Sequence, residues 1–241
     1  MTVPPDGDAV LSHGDPALTR TRAARAVPAA VATAAFCAFV VALLGAGVKT
    51  HFGPQLRLDG RVGETLYAGD HRAVALNDLL AVLTAPGLTA FRLILFLPVV
   101  LLLVRRRAWW TVAWVLTAIT LIAPLNTLLK VFFGRVRPNF EQGGARLTSL
   151  SYPSGHSSGI ATLVTVALVL AWPLLAPRAR HWALTAGVAL VLLVGLTRMW
   201  LGVHFFSDVV GGWALGVGWS LLTALLFGAL AEGRASLRPT E

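Results

Sequence analysis

Residues 108–138 read AWWTVAWVLTAITLIAPLNTLLKVFFGRVRP, an apolar run that leads directly into a basic cluster. The apolar part, from about residue 108 to 129, exceeds the roughly 20 residues that a helix needs to cross a bilayer. Charged groups are costly next to such a segment, so Lys130 and Arg137 at its end need an explanation. The stretch predicts a membrane-spanning helix with a polar site at one of its ends.

Five further apolar runs lie on either side of this one. A shorter segment, with leucines at helical spacing beside Asn77 and Asp78, predicts an amphipathic helix at the membrane surface. The fold class is therefore all-α, a polytopic membrane helical bundle with six transmembrane helices plus a short interfacial helix. The other spans are expected at about 27–48, at 88–104, from His156 to about 176, from about 182 to the region of Thr197 and His204, and at 209–231.

The residues between the apolar runs, and the glycines within the last one, predict where helices end and where they pack closely. Residues 49–72 are predicted to form a polar loop, and Ala85-Pro86-Gly87 is predicted to end the amphipathic helix. The last span is rich in glycine, at Gly211, Gly212, Gly216 and Gly218, which permits close contacts between helices.

The composition excludes a separate soluble core. Hydrophobic residues make up 56% of the 241 residues and charged residues only 13%, and the mean hydropathy is +0.72. We predict a flexible cytoplasmic tail over 1–26, one membrane domain over 27–231, and a cytoplasmic C-terminal tail over 232–241. The single cysteine, Cys37, excludes an intrachain disulfide and a cysteine-based metal site.

The formal net charge of +9 does not indicate a nucleic-acid partner. The 20 Lys and Arg residues occur in short groups beside the apolar runs, without an aromatic and basic surface module. Membrane topology and acidic lipid head groups explain such groups better. Membrane lipids are therefore the partners that the charge indicates.

Basic residues at alternate ends of the spans predict the orientation. With six spans, one side collects the tail arginines, Arg105 to Arg107, Arg178 with Arg180, and Arg234 with Arg238. The positive-inside rule makes that side the cytoplasm, although Lys49, Arg57, Arg61 and Arg72 fall on the other side. We therefore expect a multi-pass protein of the cell membrane with both termini cytoplasmic. Three polar clusters would then share the non-cytoplasmic face.

The first cluster contains Lys130 and Arg137, which are seven residues apart. If the helix continued through both, they would project from one face, and Pro138 would end the helix. A guanidinium fork and an ammonium group together suit a phosphate ester. The alternative is that both contact lipid head groups, a reading that fits Arg135 better than a phosphate clamp does.

The second cluster is Pro-Ser-Gly-His at 153–156, directly before an apolar run. It predicts a helix start, whose free N–H groups and positive dipole end suit an anion. Ser154 adds a hydroxyl donor, Gly155 permits close approach of the backbone, and His156 can protonate a departing alkoxide. The alternative is a serine cap with an incidental histidine.

The third cluster contains His204 and Asp208, four residues apart and so on one face if they are helical. A carboxylate that accepts the proton of one imidazole nitrogen leaves the other nitrogen basic, as a nucleophile or general base requires. Arg198 adds a third cation. Taken alone, the pair also fits an ordinary polar contact, but its position beside two other clusters favours function.

In order and spacing, the clusters resemble the signature of the phosphatidic acid phosphatase type 2 superfamily, which unites membrane lipid phosphatases with soluble vanadium haloperoxidases. The family pattern is Lys, six residues, Arg-Pro; then Pro-Ser-Gly-His; then Ser-Arg, five residues, His, three residues, Asp. Thr197 stands where the family usually has serine. The matching residues, all between about 125 and 210, are Lys130, Arg137, Pro138, Pro153 to His156, Arg198, His204 and Asp208.

The resemblance implies a role for each of these residues. His204 would attack phosphorus with Asp208 orienting it, and His156 would protonate the leaving oxygen and then activate water. The transferring phosphoryl oxygens would be stabilised by Lys130, Arg137, Arg198, Ser154 and the Gly155 amide. No metal and no other cofactor is implied.

The sequence thus predicts a lipid phosphatase whose substrate is a lipid phosphate monoester or diphosphate. Phosphatidic acid, phosphatidylglycerol phosphate and undecaprenyl diphosphate are the family's candidates, and the residues do not choose among them. A lipid phosphotransferase would use the same site. A transporter or lipid-binding protein is the alternative of another class, but the polar groups gather at one face rather than at helix midpoints.

Overall fold

The computed structural model describes residues 16–69, 71–140, 143–144, 147–230 and 234–237. Within them the chain is almost entirely helical, and a pair of two-residue antiparallel strands lies in the loop after the fifth helix. The elements are α1 (Pro16–Lys49), α2 (Gly53–Leu66), α3 (Val74–Thr84), a 3-10 turn (Ala85–Gly87), α4 (Thr89–Arg105), α5 (Trp109–Phe133), β1 (Asn139–Phe140), β2 (Gly143–Gly144), α6 (Gly155–Ala171), a second 3-10 turn (Trp172–Leu174), α7 (Pro177–Trp200) and α8 (Phe206–Phe227).

The predicted all-α membrane bundle is confirmed. Five segments in the described residues are each long and apolar enough to cross a membrane, and they correspond to α1, α5, α6, α7 and α8. The sixth predicted span is α4, which reaches that length only together with α3. The two helices meet at an angle of 51° across the 3-10 turn, where the sequence predicts a break at Ala85-Pro86-Gly87. Large apolar side chains are exposed around the bundle, among them Phe36, Ile94, Leu128, Trp182 and Leu226.

One element contradicts the sequence prediction. Residues 53–66 form α2, where a polar loop is expected. Six of these 14 residues are Gly, Pro, Arg or Glu on the outer side of the helix or at its ends. Residues of these types obscure the helical periodicity in the sequence. Asp59 and Gly63, one turn apart, are buried on the inner face. The helix is amphipathic, and its inner face is built around a charged residue instead of leucines.

The two ends of the chain lie partly outside the described residues. α1 begins at Pro16, so helix extends into the segment 16–26 that the sequence assigns to a tail. Near the C terminus, Ala235 is buried and its carbonyl accepts a hydrogen bond of 3.0 Å from the Thr111 hydroxyl. The cytoplasmic location of both tails stays a prediction.

The core of the bundle is formed where α6 packs on α5 and α8. Trp114, Val115 and Ala118 of α5 are fully buried against Ile160 and Val166 of α6. This apolar layer fixes α6 in the middle of the protein, with its N terminus at the polar end of the bundle.

Two glycines let α8 approach α6 at backbone distance, as the glycine-rich span predicts. A Cβ added at Gly212 would lie 2.6 Å from the Ser154 carbonyl oxygen, and one added at Gly216 would lie 2.4 Å from the Ser158 carbonyl oxygen. Both distances are shorter than nonbonded carbon and oxygen atoms tolerate. The contact therefore sets the position of the N-terminal half of α6, where the second polar cluster begins.

We expect Gly216→Ala to destabilise the protein by about 1–3 kcal/mol, because the added methyl group overpacks the contact with α6. Gly60→Ala in α2 is the matched control, since nothing lies within 4 Å of the added Cβ. Helix propensity favours alanine there by about 1 kcal/mol. Thermal unfolding in detergent, followed by circular dichroism, should give a lower Tm for the first variant only. Equal Tm values would contradict the proposed tight contact.

Candidate active site

The three polar clusters meet in one cavity of about 570 Å³ at the N-terminal end of α6. Its walls come from the end of α5, the loop before α6, the end of α7 and the loop before α8. Six of the eight predicted site residues line it: Lys130, Arg137, Gly155, His156, Arg198 and His204. The other two, Ser154 and Asp208, are fully buried behind this lining.

The first cluster reaches the cavity in a different way from the predicted continuous helix. α5 ends at Phe133, and the capping residue after it, Gly134, has a φ of 68°, a left-handed conformation that glycine adopts without steric cost. Lys130 therefore points from the last turn of α5, whereas Arg137 comes from the loop. The expectation that Pro138 ends the helix is wrong, because glycine ends it four residues earlier.

Loop carbonyls hold these two cations. The Lys130 ammonium donates to the carbonyl oxygens of Leu150 and Ser151. The Arg137 guanidinium donates to the Ser149 carbonyl at 2.7 Å and to the Val203 carbonyl at 2.6 Å. These neutral acceptors orient the cations without cancelling their charge, so the cavity keeps a positive potential.

The second cluster forms the predicted helix start. Ser154 is the N-cap of α6, and its hydroxyl oxygen accepts hydrogen bonds from the backbone N–H and the hydroxyl of Ser157. Gly155 and His156 are the first two helical residues, and both line the cavity. The cap interpretation thus describes the Ser154 side chain in this structure. A direct contact of its hydroxyl with phosphate stays a prediction.

The third cluster lies at the start of α8 instead of on one helical face. His204 precedes the helix, and Asp208 is in its first turn, where the carboxylate accepts the Phe205 backbone N–H at 2.9 Å. The same carboxylate oxygen lies 3.3 Å from Nδ1 of His204. The predicted pair therefore forms, although by helix capping.

Hydrogen bonding assigns the tautomer of His204. Its Nε2 lies 3.2 Å from Nη1 of Arg137, and a guanidinium is only a donor. Since Nε2 must accept, the proton belongs on Nδ1, facing the Asp208 carboxylate, which is only an acceptor. The lone pair of Nε2 is thus on the cavity side of the ring.

Burial keeps this imidazole neutral. The His204 side chain is 2% exposed, and burial lowers its pKa from 6.5 to about 3, although Asp208 opposes the shift. A neutral imidazole has an unprotonated ring nitrogen, as a nucleophile requires.

Arg198 supplies the third cation from the end of α7. It is buried, and its Nη1 donates to the Thr84 hydroxyl at 3.1 Å. Its Nε has no hydrogen-bond partner among the described residues. Thr197, which stands in place of the usual serine, turns its hydroxyl away to the Val194 carbonyl at 2.6 Å.

The structure adds two site residues that the sequence analysis missed, Arg135 and Asp59. The Arg135 guanidinium donates to Asp208 at 2.8 Å and to Asp59 at 2.6 Å, and all three side chains are buried. It also stacks 4.0 Å from the centre of the Phe205 ring. The reading of Arg135 as a lipid-contacting residue is wrong, because a buried cation between two carboxylates does not face head groups.

The sequence feature that could have identified Asp59 as an inward-facing residue is helical periodicity. Leu56, Asp59, Gly63 and Leu66 recur at the spacing of one helical face, and all four are at least partly buried. The pairing itself has no local signal, since 76 residues separate Asp59 from Arg135.

The residue types around the cavity suit an anion. Among the described residues, no group of three or more His, Cys, Asp or Glu side chains is placed to hold a metal ion. The donors that line the cavity are instead one ammonium group, two guanidinium groups and the N-terminal end of a helix, all of which bind phosphate oxygens.

Comparison with known proteins places this arrangement in a family. The sequence model of the PAP2 superfamily matches residues 108–231, which contain all three clusters. The chain belongs to the PAP2 superfamily. A solved structure with the same fold, a transmembrane PAP2 type phosphatidylglycerolphosphate phosphatase from Bacillus subtilis, has a TM-score of 0.64 and 26% identity and covers 79% of this chain and 94% of its own.

Curated relatives of this PAP2 protein are also phosphatases by name. Phosphatidylglycerophosphatase B of Bacillus subtilis is 34% identical over 145 residues, which are 59% of this chain and 70% of the relative. Lipid A 1-phosphatase of Rhizobium etli is 34% identical over 127 residues, which are 49% and 51% of the two chains. Undecaprenyl-diphosphatase of Sulfolobus acidocaldarius is 38% identical over 69 residues, which are 29% and 30% of the two chains.

We expect Asp59→Asn to destabilise the protein by about 3 kcal/mol, because it leaves Arg135 with one carboxylate in a buried site. Asp59 also accepts the backbone N–H and the hydroxyl of Ser207. Glu64→Gln, on the exposed side of the same helix, is the matched control and should leave Tm unchanged. A Tm for Asp59→Asn equal to that of the control would show that the ion pair does not stabilise α2.

The low pKa of His204 predicts how stability changes with pH. Between about pH 6.5 and 3 the unfolded chain protonates this histidine and the folded chain does not, so stability falls as pH falls through this window. We expect His204→Gln to show a smaller drop in Tm between pH 7 and pH 5 than the unmodified protein. His181→Gln, whose side chain is exposed near the start of α7, serves as control. An unchanged pH dependence in His204→Gln would mean that this imidazole is protonated in the folded protein.

Proposed function

We propose that this PAP2 protein hydrolyses phosphate monoesters or diphosphates of lipids through a phosphohistidine intermediate on His204. The observation that carries the proposal is the assigned tautomer of His204. Its neutral Nε2 is held toward a cavity that three cations line, and its Nδ1 proton is held by a buried carboxylate. The arrangement couples a nucleophile with a binding site for the group that it attacks.

In the first step, Nε2 of His204 attacks the phosphorus, and the bond from phosphorus to the lipid oxygen breaks. His156, in its protonated form, gives its proton to that oxygen, so a lipid alcohol or a lipid monophosphate leaves. The phosphorylated imidazole keeps its Nδ1 proton and gains a positive charge, which the Asp208 carboxylate balances.

In the second step, water replaces the histidine. The neutral His156 takes a proton from a water molecule as its oxygen attacks the phosphorus, and the bond from phosphorus to Nε2 breaks. Inorganic phosphate is released. His204 is neutral again and His156 is protonated again, so the cycle closes.

The cations stabilise the charge that spreads over the transferring phosphoryl oxygens. Lys130 and Arg137 are held in place by loop carbonyls before substrate arrives, so little reorganisation is needed. The Nε of buried Arg198, which has no partner among the described residues, and the backbone N–H groups at the start of α6 provide further donors. Ser154 contributes by capping this helix, and direct donation from its hydroxyl is part of the proposal.

A lipid is the substrate class that the surroundings support. The cavity is at the end of helices whose outer faces are apolar, so a lipid tail can stay in the membrane while its head group enters. The named substrates of the relatives are phosphatidylglycerophosphate, the 1-phosphate of lipid A and undecaprenyl diphosphate. All of them are phosphate esters or diphosphates of lipids.

The proposed topology puts the cavity on the non-cytoplasmic side. The support is the positive-inside rule, applied to the basic groups at the opposite ends of the helices. In a Cys37→Ala background, Val136→Cys is expected to react with an impermeant thiol reagent added to intact cells, and Arg178→Cys only after lysis. Both positions are exposed. The reverse pattern would put the active site in the cytoplasm.

The principal test is phosphate release by the purified protein from a panel of lipid phosphates in the presence of a chelator. We expect turnover by the unmodified protein and none above background by His204→Ala. Analysis of the lipid products separates hydrolysis from phosphoryl transfer, which would yield a phosphorylated acceptor and no free phosphate. Equal turnover by His204→Ala would rule out the nucleophile, and a strict need for added metal would rule out the metal-free mechanism.

Trapping the intermediate tests the roles of the two histidines separately. In His156→Gln the second step lacks its base, so we expect kcat to fall by about 10²- to 10⁴-fold. With a lipid diphosphate, whose leaving group depends less on protonation, a phosphoprotein labile to acid should accumulate. No phosphoprotein should form in His204→Gln. Phosphoprotein in both variants, or in neither, would contradict this division of roles.

A further inference from the structure

Arg92 is a buried cation that the proposed reaction leaves without a role. It lies one turn into α4, and its side chain is 1% exposed. Its Nε donates to the Ile119 carbonyl at 2.9 Å, and its Nη2 lies 3.5 Å from the Thr89 hydroxyl. Its Nη1 has no hydrogen-bond partner, and no carboxylate of the described residues pairs with it. A buried guanidinium with an unused donor is costly unless a ligand uses it.

Arg92 lines a second cavity, of about 230 Å³, beside the first one. None of the described residues that line it is acidic, and the polar ones near Arg92 include Thr89, Asn126 and Thr127. The two cavities share Thr127, Gly155 and His156. They therefore meet at the first turn of α6, with His156 between the phosphate-binding cations and Arg92.

The backbone around Arg92 is shaped to make room for its guanidinium. A Cβ added at Gly159 would lie 2.7 Å from Nη1 of Arg92, and one added at Gly87 would lie 2.8 Å from the carbonyl oxygen of His156. The bend between α3 and α4 thus packs directly on α6. It brings Arg92 to the side of His156, and Gly159, which has no side chain, leaves room for the guanidinium.

We infer that the Arg92 cavity binds a second phosphate group, located in the part of the substrate that leaves. The inference rests on the proposed function, in which His156 protonates the leaving oxygen. The group attached to that oxygen must lie beside His156, and the adjoining cavity offers a buried guanidinium with a free N–H. Guanidinium groups bind phosphate oxygens strongly, and more so where water is excluded.

Two kinds of lipid have such a second phosphate. In a lipid diphosphate the bond between the transferred phosphorus and the bridging oxygen breaks, and the oxygen leaves on a lipid monophosphate with the proton from His156. In a glycerol phosphate ester of a phospholipid, the leaving alcohol contains a phosphodiester. When the substrate is a lipid monophosphate such as phosphatidic acid, the leaving group is an uncharged alcohol, which has no phosphate for Arg92 to bind.

The test compares substrates with and without a second phosphate. One pair is farnesyl diphosphate and farnesyl monophosphate, and the other is phosphatidylglycerol phosphate and phosphatidic acid with the same acyl chains. We expect the unmodified protein to have the higher kcat/KM for the first member of at least one pair. Arg92→Gln should reduce the ratio of the two kcat/KM values in that pair roughly 10- to 100-fold, as the loss of a charge-assisted hydrogen bond does. Arg92→Lys should keep part of it.

Arg105→Gln is the matched control, because Arg105 is exposed at the other end of the same helix. It should leave both ratios unchanged. A ratio that changes in one pair only identifies which of the two lipid classes supplies the phosphate. Losses of equal size for both members of both pairs would overturn the inference and leave the proposed function intact.

Inhibition of the unmodified protein tests the inference even if the Arg92 variants do not fold. Inorganic diphosphate should inhibit the unmodified protein more strongly than inorganic phosphate does, because it reaches both cavities. No preference for diphosphate, together with no preference in either substrate pair, would overturn the inference. Failure of the unmodified protein to release phosphate from any of the four lipids would instead overturn the proposed function, and the inference with it.

Discussion

The Asp208 carboxylate is the acceptor on which the geometry of the site depends. Its two oxygens are contacted by the imidazole of His204, the guanidinium of Arg135 and the backbone N–H of Phe205. These donors come from the start of α8 and from the loop after α5. Because a carboxylate is only an acceptor, one buried group fixes the tautomer of His204, caps a helix and anchors the loop from which Arg137 reaches the cavity.

Concentrating positive charge in the site costs free energy, and neutral hydrogen-bond acceptors reduce that cost. Lys130, Arg137 and Arg198 face one cavity, and carbonyl or hydroxyl oxygens hold all three. Pairing them with carboxylates would have been more stable but would have cancelled the field that attracts phosphate. Arg135, which is paired with two carboxylates, lies behind the cavity and binds no substrate in the proposed reaction. Charge is thus balanced at Arg135 behind the cavity, and the three cations that line the cavity are held by neutral oxygens.

The sequence predicted the features that depend on local patterns. Long apolar runs predicted the five helices that are long enough to cross a membrane and the shorter α4, and the spacing of three short clusters predicted six residues that share a cavity. It failed where distant residues decide the outcome. α2 was missed because its inner face is organised by Asp59, whose partner is far along the chain, and Arg135 was misread because its neighbours in sequence are not its neighbours in space. Local rules also misplaced the end of α5, since Pro138 looked like the stronger stop than Gly134.

The position of Asp59 defines the smallest unit that can preserve the site. The segment matched by the family model, 108–231, contains every residue of the signature but excludes α2. A chain reduced to that segment would lose a carboxylate from Arg135, the Thr84 hydroxyl from Arg198 and the turn at Gly87 that packs against His156. Grafts between relatives should therefore exchange the region from α2 to α4 together with the signature, because the segment matched by the family model lacks several contacts that hold the site.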